Sequence, residues 1–242
     1  MWAADNLKLP DSKVMTALKT AAGATQGQPA RKRPTLAPRN ILAGRRLISK
    51  GAARVRHTRG FWTDDDLLAL GSSDDRKHEL WNGKIITMPP GGAQHGDVIV
   101  RLTAAIATHV YEHRLGRVYE GQTGFRLSTD HCFEPDISFV SKERLKLILP
   151  VEEKLLHGAP DLAVEVLSPS DSITGTEKKI TLYLVHGARL GWMIDPKNKI
   201  ARVYREPGKF ELLRSHQALN GNTVLPGFRF TLQRLFENAG FE

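Results

Sequence analysis

Two acidic side chains stand where oily strands would not tolerate them unaided. Glu165 lies inside the run Leu162 to Leu167, and Asp136 immediately precedes a second run, Ile137 to Val140. Both runs are bounded by prolines and rich in β-branched or aromatic residues, the pattern of buried strands, although a buried helix segment can share it. In a strand the side chains alternate, so Leu162, Val164 and Val166 share one face and Ala163, Glu165 and Leu167 the other. Glu165 therefore sits between apolar neighbours, where an unpaired ionised carboxylate is very costly. It must bind a cation, pair with a base or keep its proton. Asp136 can meet it across adjacent strands, and two carboxylates side by side repel unless a divalent cation lies between them. The expected chemistry is a metal site.

The elements that must position this pair can be read in outline. Thr63 is a helix N-cap with Asp64, Asp65 and Asp66 in the first turn, and that helix ends near Gly71. HELWNGKIITM reads as two extended segments around an Asn82-Gly83 turn. After a Pro-Gly loop a strong helix runs from about Ala93 to Arg114, with Val98, Ile99, Leu102, Ala105, Ile106 and Val110 on one apolar stripe and His95 on or near it. RVYEGQTGFRL reads as a strand or a bent pair, and SKERLKLIL as a short helix. Beyond Glu165, Ser170 or Asp171 is expected to cap a helix reaching Val185, on which Lys179, Leu182 and Tyr183 share a face; Gly187 closes it. LGWMIDP, IARVYR and KFELLR read as strands, and LPGFRFTLQRLFE as a strand and a short helix. Strands interleaved with two good helices predict a mixed sheet with helices on its faces.

The chain has 242 residues and 40% hydrophobic side chains, enough for one sizeable core with extensions or two small ones. No apolar run approaches the roughly 20 residues of a membrane span, so a soluble protein without a membrane partner is expected. The single cysteine, Cys132, excludes an internal disulfide and a cysteine-cluster zinc site and fits a reducing, cytoplasmic compartment. The net charge of +9 is unevenly spread. Residues 1–60 hold 13 Lys and Arg against Asp5 and Asp11, a net of +11, whereas the remaining 182 residues hold 22 basic and 24 acidic residues, a net of −2. The first 60 residues lack steady periodicity and read as a disordered basic extension with a short helix near Ser12 to Ala21. A nucleic-acid-binding arm, an organellar transit segment and a merely solvated tail all fit it. It lacks the pattern of a secretory signal. Residues 61–242 form the domain.

The ordered set HELWNG, His95, Pro135-Asp136, PDLAVEVLSPS, Lys179 four residues before Tyr183, HGARLGWMIDP and LPGF resembles the Uma-two family of endonucleases, which are similar to restriction endonucleases of the PD-(D/E)XK superfamily. The resemblance covers about residues 61 to 238. It implies a restriction-endonuclease-like α/β (α+β) fold, a mixed central sheet flanked by helices. By the same likeness Asp136 and Glu165 match the acidic pair, and Glu79 the family's early glutamate. The superfamily pattern places a lysine two residues after the second acid, where this chain has Leu167; the family supplies it from the next helix, at Lys179. Gly175 departs from relatives that carry an acid four residues before that lysine.

The implied activity is hydrolysis of phosphodiester bonds in DNA by a metal-dependent endonuclease. Mg²⁺ (or Mn²⁺) would be held by Asp136 and Glu165 with Glu79 behind them, because hard cations take carboxylate, phosphate and water oxygens. Lys179 would orient the attacking water or stabilise developing negative charge. Cutting both strands implies, by analogy, a homodimer. The alternative is a nucleic-acid-binding or accessory module on a nuclease fold with weakened chemistry; a different metal-dependent phosphoesterase is a weaker third. Duller readings stand beside each residue. Asp136 could be a turn or capping aspartate, Lys179 a solvated helix lysine, and Glu79 a partner of Arg76 or Lys77. His95 is read as a packed, hydrogen-bonded histidine rather than a ligand, Asp161 and Asp195 as turn formers, and Trp192 and Tyr183 as core.

Overall fold

The computed structural model describes residues 61–71, 76–148 and 155–237, all inside one compact unit within Gly51–Glu242. The segment 1–60 and its expected short helix lie outside the described residues.

Thr63 caps helix α1 (Asp64–Gly71): its Oγ1 accepts from Asp66 N, and Asp66 Oδ2 accepts from Thr63 N at 2.9 Å. Strands β1 (His78–Trp81) and β2 (Lys84–Thr87) form the expected hairpin. Asn82 (φ 49°) and Gly83 (φ 66°) both occupy the left-handed region that a two-residue hairpin of this twist requires. Helix α2 (Ala93–Glu112) buries Val98, Leu102, Ile106 and Val110, worth about 1.5–3 kcal/mol apiece at full burial. RVYEGQTGFRL supplies two strands that part company, β3 (Gly116–Glu120) and β4 (Gly124–Ser128). Next come β5 (His131–Phe133), β6 (Ile137–Ser141), α3 (Lys142–Ile148), β7 (Leu155–His157) and β8 (Leu162–Val166). Helix α4 (Ile173–Val185) is followed by β9 (Leu190–Asp195), β10 (Ile200–Glu206), β11 (Lys209–Leu213), β12 (Ala218–Asn220), β13 (Arg229–Thr231) and α5 (Leu232–Phe236).

The central sheet is six-stranded in the order β11-β10-β9-β8-β6-β3. It is mixed: β8 runs parallel to β9 and antiparallel to β6. On one face Leu162, Val164, Val166, Ile137 and Phe139 pack against the α2 stripe and the C-terminal β12, β13 and α5. On the other, Ala163, Val140, Met193 and Tyr204 meet Ile180, Tyr183 and Leu184 of α4. Phe125, Phe133 and Leu156 join that layer from a second, five-stranded sheet, β2-β1-β5-β4-β7. The central sheet flanked by helices is as expected; the second sheet is not foreseen, because β5, which joins the hairpin to β4, and β7, which pairs with β4 at the edge, are only three residues long. Such short runs carry too little alternation to register as strands.

Candidate functional site

Alternation along β8 sends Glu165 to the face shared with α4 and the smaller sheet, because its register partner Met193 and its neighbour Ala163 both pack there. Asp136 immediately precedes β6, whose first residue, Ile137, pairs with Val164. That register brings the aspartate beside the end of β8, where its Oδ2 accepts from Val166 N at 2.8 Å. The two acids of the sequence reading thus meet at the same strand ends.

Helix α4 lays Lys179 and Tyr183, one turn apart, over Glu165. Lys179 Nζ lies 2.6 Å from Glu79 Oε1 and 3.0 Å from Glu165 Oε1, and Tyr183 donates its hydroxyl to Glu165 Oε1 at 2.9 Å. Glu79 comes from β1 of the smaller sheet, and the same oxygen also accepts from Glu134 N at 3.0 Å. Its base partner is therefore Lys179 on a distant helix. On the other side of Asp136, His95 Nε2 from the first turn of α2 stands 3.4 Å from Oδ2. Lys77 Nζ is 3.8 Å from Oδ1 and donates to the Glu134 carbonyl at 2.7 Å. Lys77, Glu79, His95, Asp136, Glu165 and Lys179 line one cleft of about 340 Å³, together with Ser168, Ser170, Asp171 and Gly175. All five residues singled out from the sequence, Glu79, His95, Asp136, Glu165 and Lys179, converge there.

Charge follows from this packing. Burial pushes the Glu165 carboxyl up to about 7, with Lys179 opposing the rise and Asp136 and Glu79 adding to it. Burial alone would lower the Lys179 ammonium, but Glu165 and Glu79 outweigh it and hold it protonated. Two carboxylates share one cation, so the lysine stays charged and Glu165 is the acid that protonates readily. Asp136 behaves differently. Burial works against its ionised form, yet His95, Lys77 and the Val166 N–H together keep it below the usual carboxylate range. His95 is raised, chiefly by its contact with Asp136 against the cost of burial.

Several readings change. The cap of α4 is Ser172, whose Oγ accepts from Gly175 N at 3.0 Å; Asp171 instead accepts from Ser168 N and closes the loop before it. Asp161 is not a plain turn former: it is buried, accepts from Ser141 N at 2.7 Å and pairs with Arg189 at 3.1 Å. Asp195 is a turn former, accepting from Asn198 N and Nδ2. Tyr183 and Trp192 are core, but Tyr183 also carries the hydroxyl that reaches Glu165. Lys77, by sequence a candidate partner for Glu79, lies beside Asp136 instead. The usable signal was strand parity: residues two apart share a face, so the lysine follows Glu79 into the cleft.

Asp136 Oδ1 and Glu165 Oε2 stay outside the hydrogen bonds described above, giving a hard, all-oxygen donor pair. Such a pair fits Mg²⁺ or Mn²⁺, which take one or two carboxylates and complete their shell with water and phosphate oxygens. Among the described residues no three His, Cys, Asp or Glu side chains cluster tightly enough to cage an ion. The residues fit an open site and not a closed protein cage.

A mixed α/β fold with acids, a lysine and a histidine gathered at its strand ends defines a nuclease-like protein. The chain belongs to the Uma2 family, described as "Putative restriction endonuclease", which it matches over residues 64–233. Among solved structures it is similar to a "putative nuclease belonging to DUF820" from Anabaena variabilis ATCC 29413, with 28% identity and a TM-score of 0.63 over 72% of this chain and 97% of that one. No curated protein matches it. No helix among the described residues is long and apolar enough to cross a membrane.

Proposed function

We propose that this protein is a metal-dependent endonuclease that hydrolyses phosphodiester bonds in DNA. The observation that carries the reading is the convergence in one cleft of Asp136, Glu165, Glu79, Lys179 and His95 from five separate parts of the chain. In this reading Asp136 and Glu165 hold Mg²⁺ or Mn²⁺, which when bound would acidify water and polarise the phosphate. Lys179 keeps the two glutamates from repelling each other, and Tyr183 fixes which Glu165 oxygen faces the ion. His95 and the Val166 N–H hold the Asp136 carboxylate ionised and oriented. In the overall step a water oxygen attacks phosphorus, the bond to one ester oxygen breaks, and that oxygen leaves with a proton. The acids supply sites for ion and water; the cations offset the charge that gathers on phosphate.

The test is cleavage of supercoiled plasmid with Mg²⁺ or Mn²⁺ against an EDTA control, using wild type, Asp136→Ala and Glu165→Ala. Nicked or linear product from wild type alone is expected. Equal cleavage by all three would remove the assignment. Metal-independent, salt-sensitive binding without cleavage would favour a binding module, a reading to which the internal neutralisation of Glu165 by Lys179 lends weight.

A further inference from the structure

Among the described residues, the basic side chains lining the cleft are Lys77, His95 and Lys179. Their surroundings differ. Lys179 is 8% exposed, has a carboxylate oxygen at 2.6 Å and another at 3.0 Å, and sits over the Phe133 ring at 5.7 Å. An ammonium has three donors, and two of them are directed at Glu79 and Glu165. His95 is engaged with Asp136. Lys77 is 23% exposed and anchored through one hydrogen bond to the Glu134 carbonyl. Its distance of 3.8 Å from Asp136 Oδ1 is too long for a hydrogen bond, so the aspartate attracts the ammonium without claiming a proton from it.

Resting on the nuclease reading, we infer that Lys77 is a catalytic residue that binds a non-bridging oxygen of the scissile phosphate, while Lys179 is a positioning residue that acts through Glu79 and Glu165. Charge makes this division necessary. Glu79, Asp136, Glu165 and Asp171 all face the cleft, and an arriving phosphodiester adds another negative charge. Lys179 cannot leave its two acids without stranding both in the interior. Lys77 can turn toward phosphate while its anchor is a neutral carbonyl. A protein donor aimed at charge that grows in the transition state acts on the rate more than on substrate affinity. Position supports the same role: Lys77 and Glu79 are two residues apart on one extended segment, so the segment that places the glutamate against Lys179 also places Lys77 beside Asp136.

The experiment is single-turnover cleavage of supercoiled plasmid by the full chain, with Mn²⁺ titrated, and plasmid binding measured with Ca²⁺. Lys77→Met is expected to lower the saturated rate by about 100-fold. Its Mn²⁺ midpoint and plasmid Kd should stay within about threefold of wild type, and Lys77→Arg should recover at least about tenfold of the lost rate. Lys179→Met should instead raise the Mn²⁺ midpoint by about tenfold or more, as a displaced Glu165 binds metal less well. If Lys77→Met, or Lys77→Gln should the first variant not fold, cleaves like wild type while Asp136→Ala is inactive, the role of Lys77 is overturned and the nuclease reading stands. If Lys179→Met lowers the rate with its Mn²⁺ midpoint unmoved, the division of labour is overturned. A wild type without Mn²⁺-dependent cleavage overturns both readings.

Discussion

Lys179 Nζ and Glu79 Oε1 stand 2.6 Å apart although 100 positions separate them in the chain. The contact ties helix α4 to the smaller sheet, and its neighbour Glu165 ties the same lysine to the central one. Removing the cation while leaving the acids strands two buried carboxylates. Lys179→Met should therefore cost about 3–5 kcal/mol. The loss should be smaller at pH 5 than at pH 8, since protonation relieves the stranded acids. Urea unfolding at both pH values checks it; equal losses would mean the acids find other partners.

Tyr183 fills the core with its ring and restrains Glu165 with its hydroxyl. Tyr183→Phe keeps the ring and removes the donor. The expected cost is about 1.5–3 kcal/mol, the range for a hydrogen bond to a charged group. An unchanged urea midpoint would show that another donor replaces it.

Glu134 sits between Glu79 and Lys77 in sequence-distant company, and burial pushes its carboxyl up to about 7 from 4.5, with Lys77 only partly opposing the rise. The folded protein thus keeps a proton that the unfolded chain releases near pH 4.5. The stability this contributes is complete below pH 4.5 and is lost as pH rises toward 7. Wild type in EDTA should lose more stability across that window than Glu134→Gln. Parallel profiles for the two proteins would exclude this source.

Bound metal should stabilise the fold by mass action, by about 2.7 kcal/mol at a concentration 100 times its Kd. Thermal unfolding with and without Mn²⁺ should show a shift for wild type that Asp136→Ala lacks. A shift of equal size in both proteins would place the ion elsewhere.

The cap of α4 offers a check independent of the cleft's chemistry. Ser172→Ala leaves Gly175 N without its acceptor and should cost about 1 kcal/mol. A thermal midpoint equal to that of wild type would show that the loop recaps the helix.

What could be read from sequence was local. The Asn82-Gly83 turn needs only two residues able to take positive φ, and the α2 stripe from Val98 to Val110 repeats over roughly three turns, so both were plain. Glu165 was conspicuous because an acid contradicts its apolar strand. Asp136 was placed by its position at the head of a neighbouring one. The hidden features depend on distance. Nothing near Glu79 names Lys179 as its partner, and the nearby Arg76 and Lys77 offered simpler ones. Ser172 lost the cap to Ser170 and Asp171 on paper because all three are good cap residues. Asp161 looked like a turn former beside proline until Ser141 N and Arg189 arrived from other elements.

The cleft lies on a seam: one glutamate comes from each sheet, and the helix that bridges them is made late. A chain still emerging from the ribosome holds both Glu79 and Asp136 well before Lys179 and Tyr183 exist to close the gap. Its cutting centre, on the reading proposed, cannot assemble until synthesis has passed α4 and the layers have docked, so the growing polypeptide would be unable to cleave before that point.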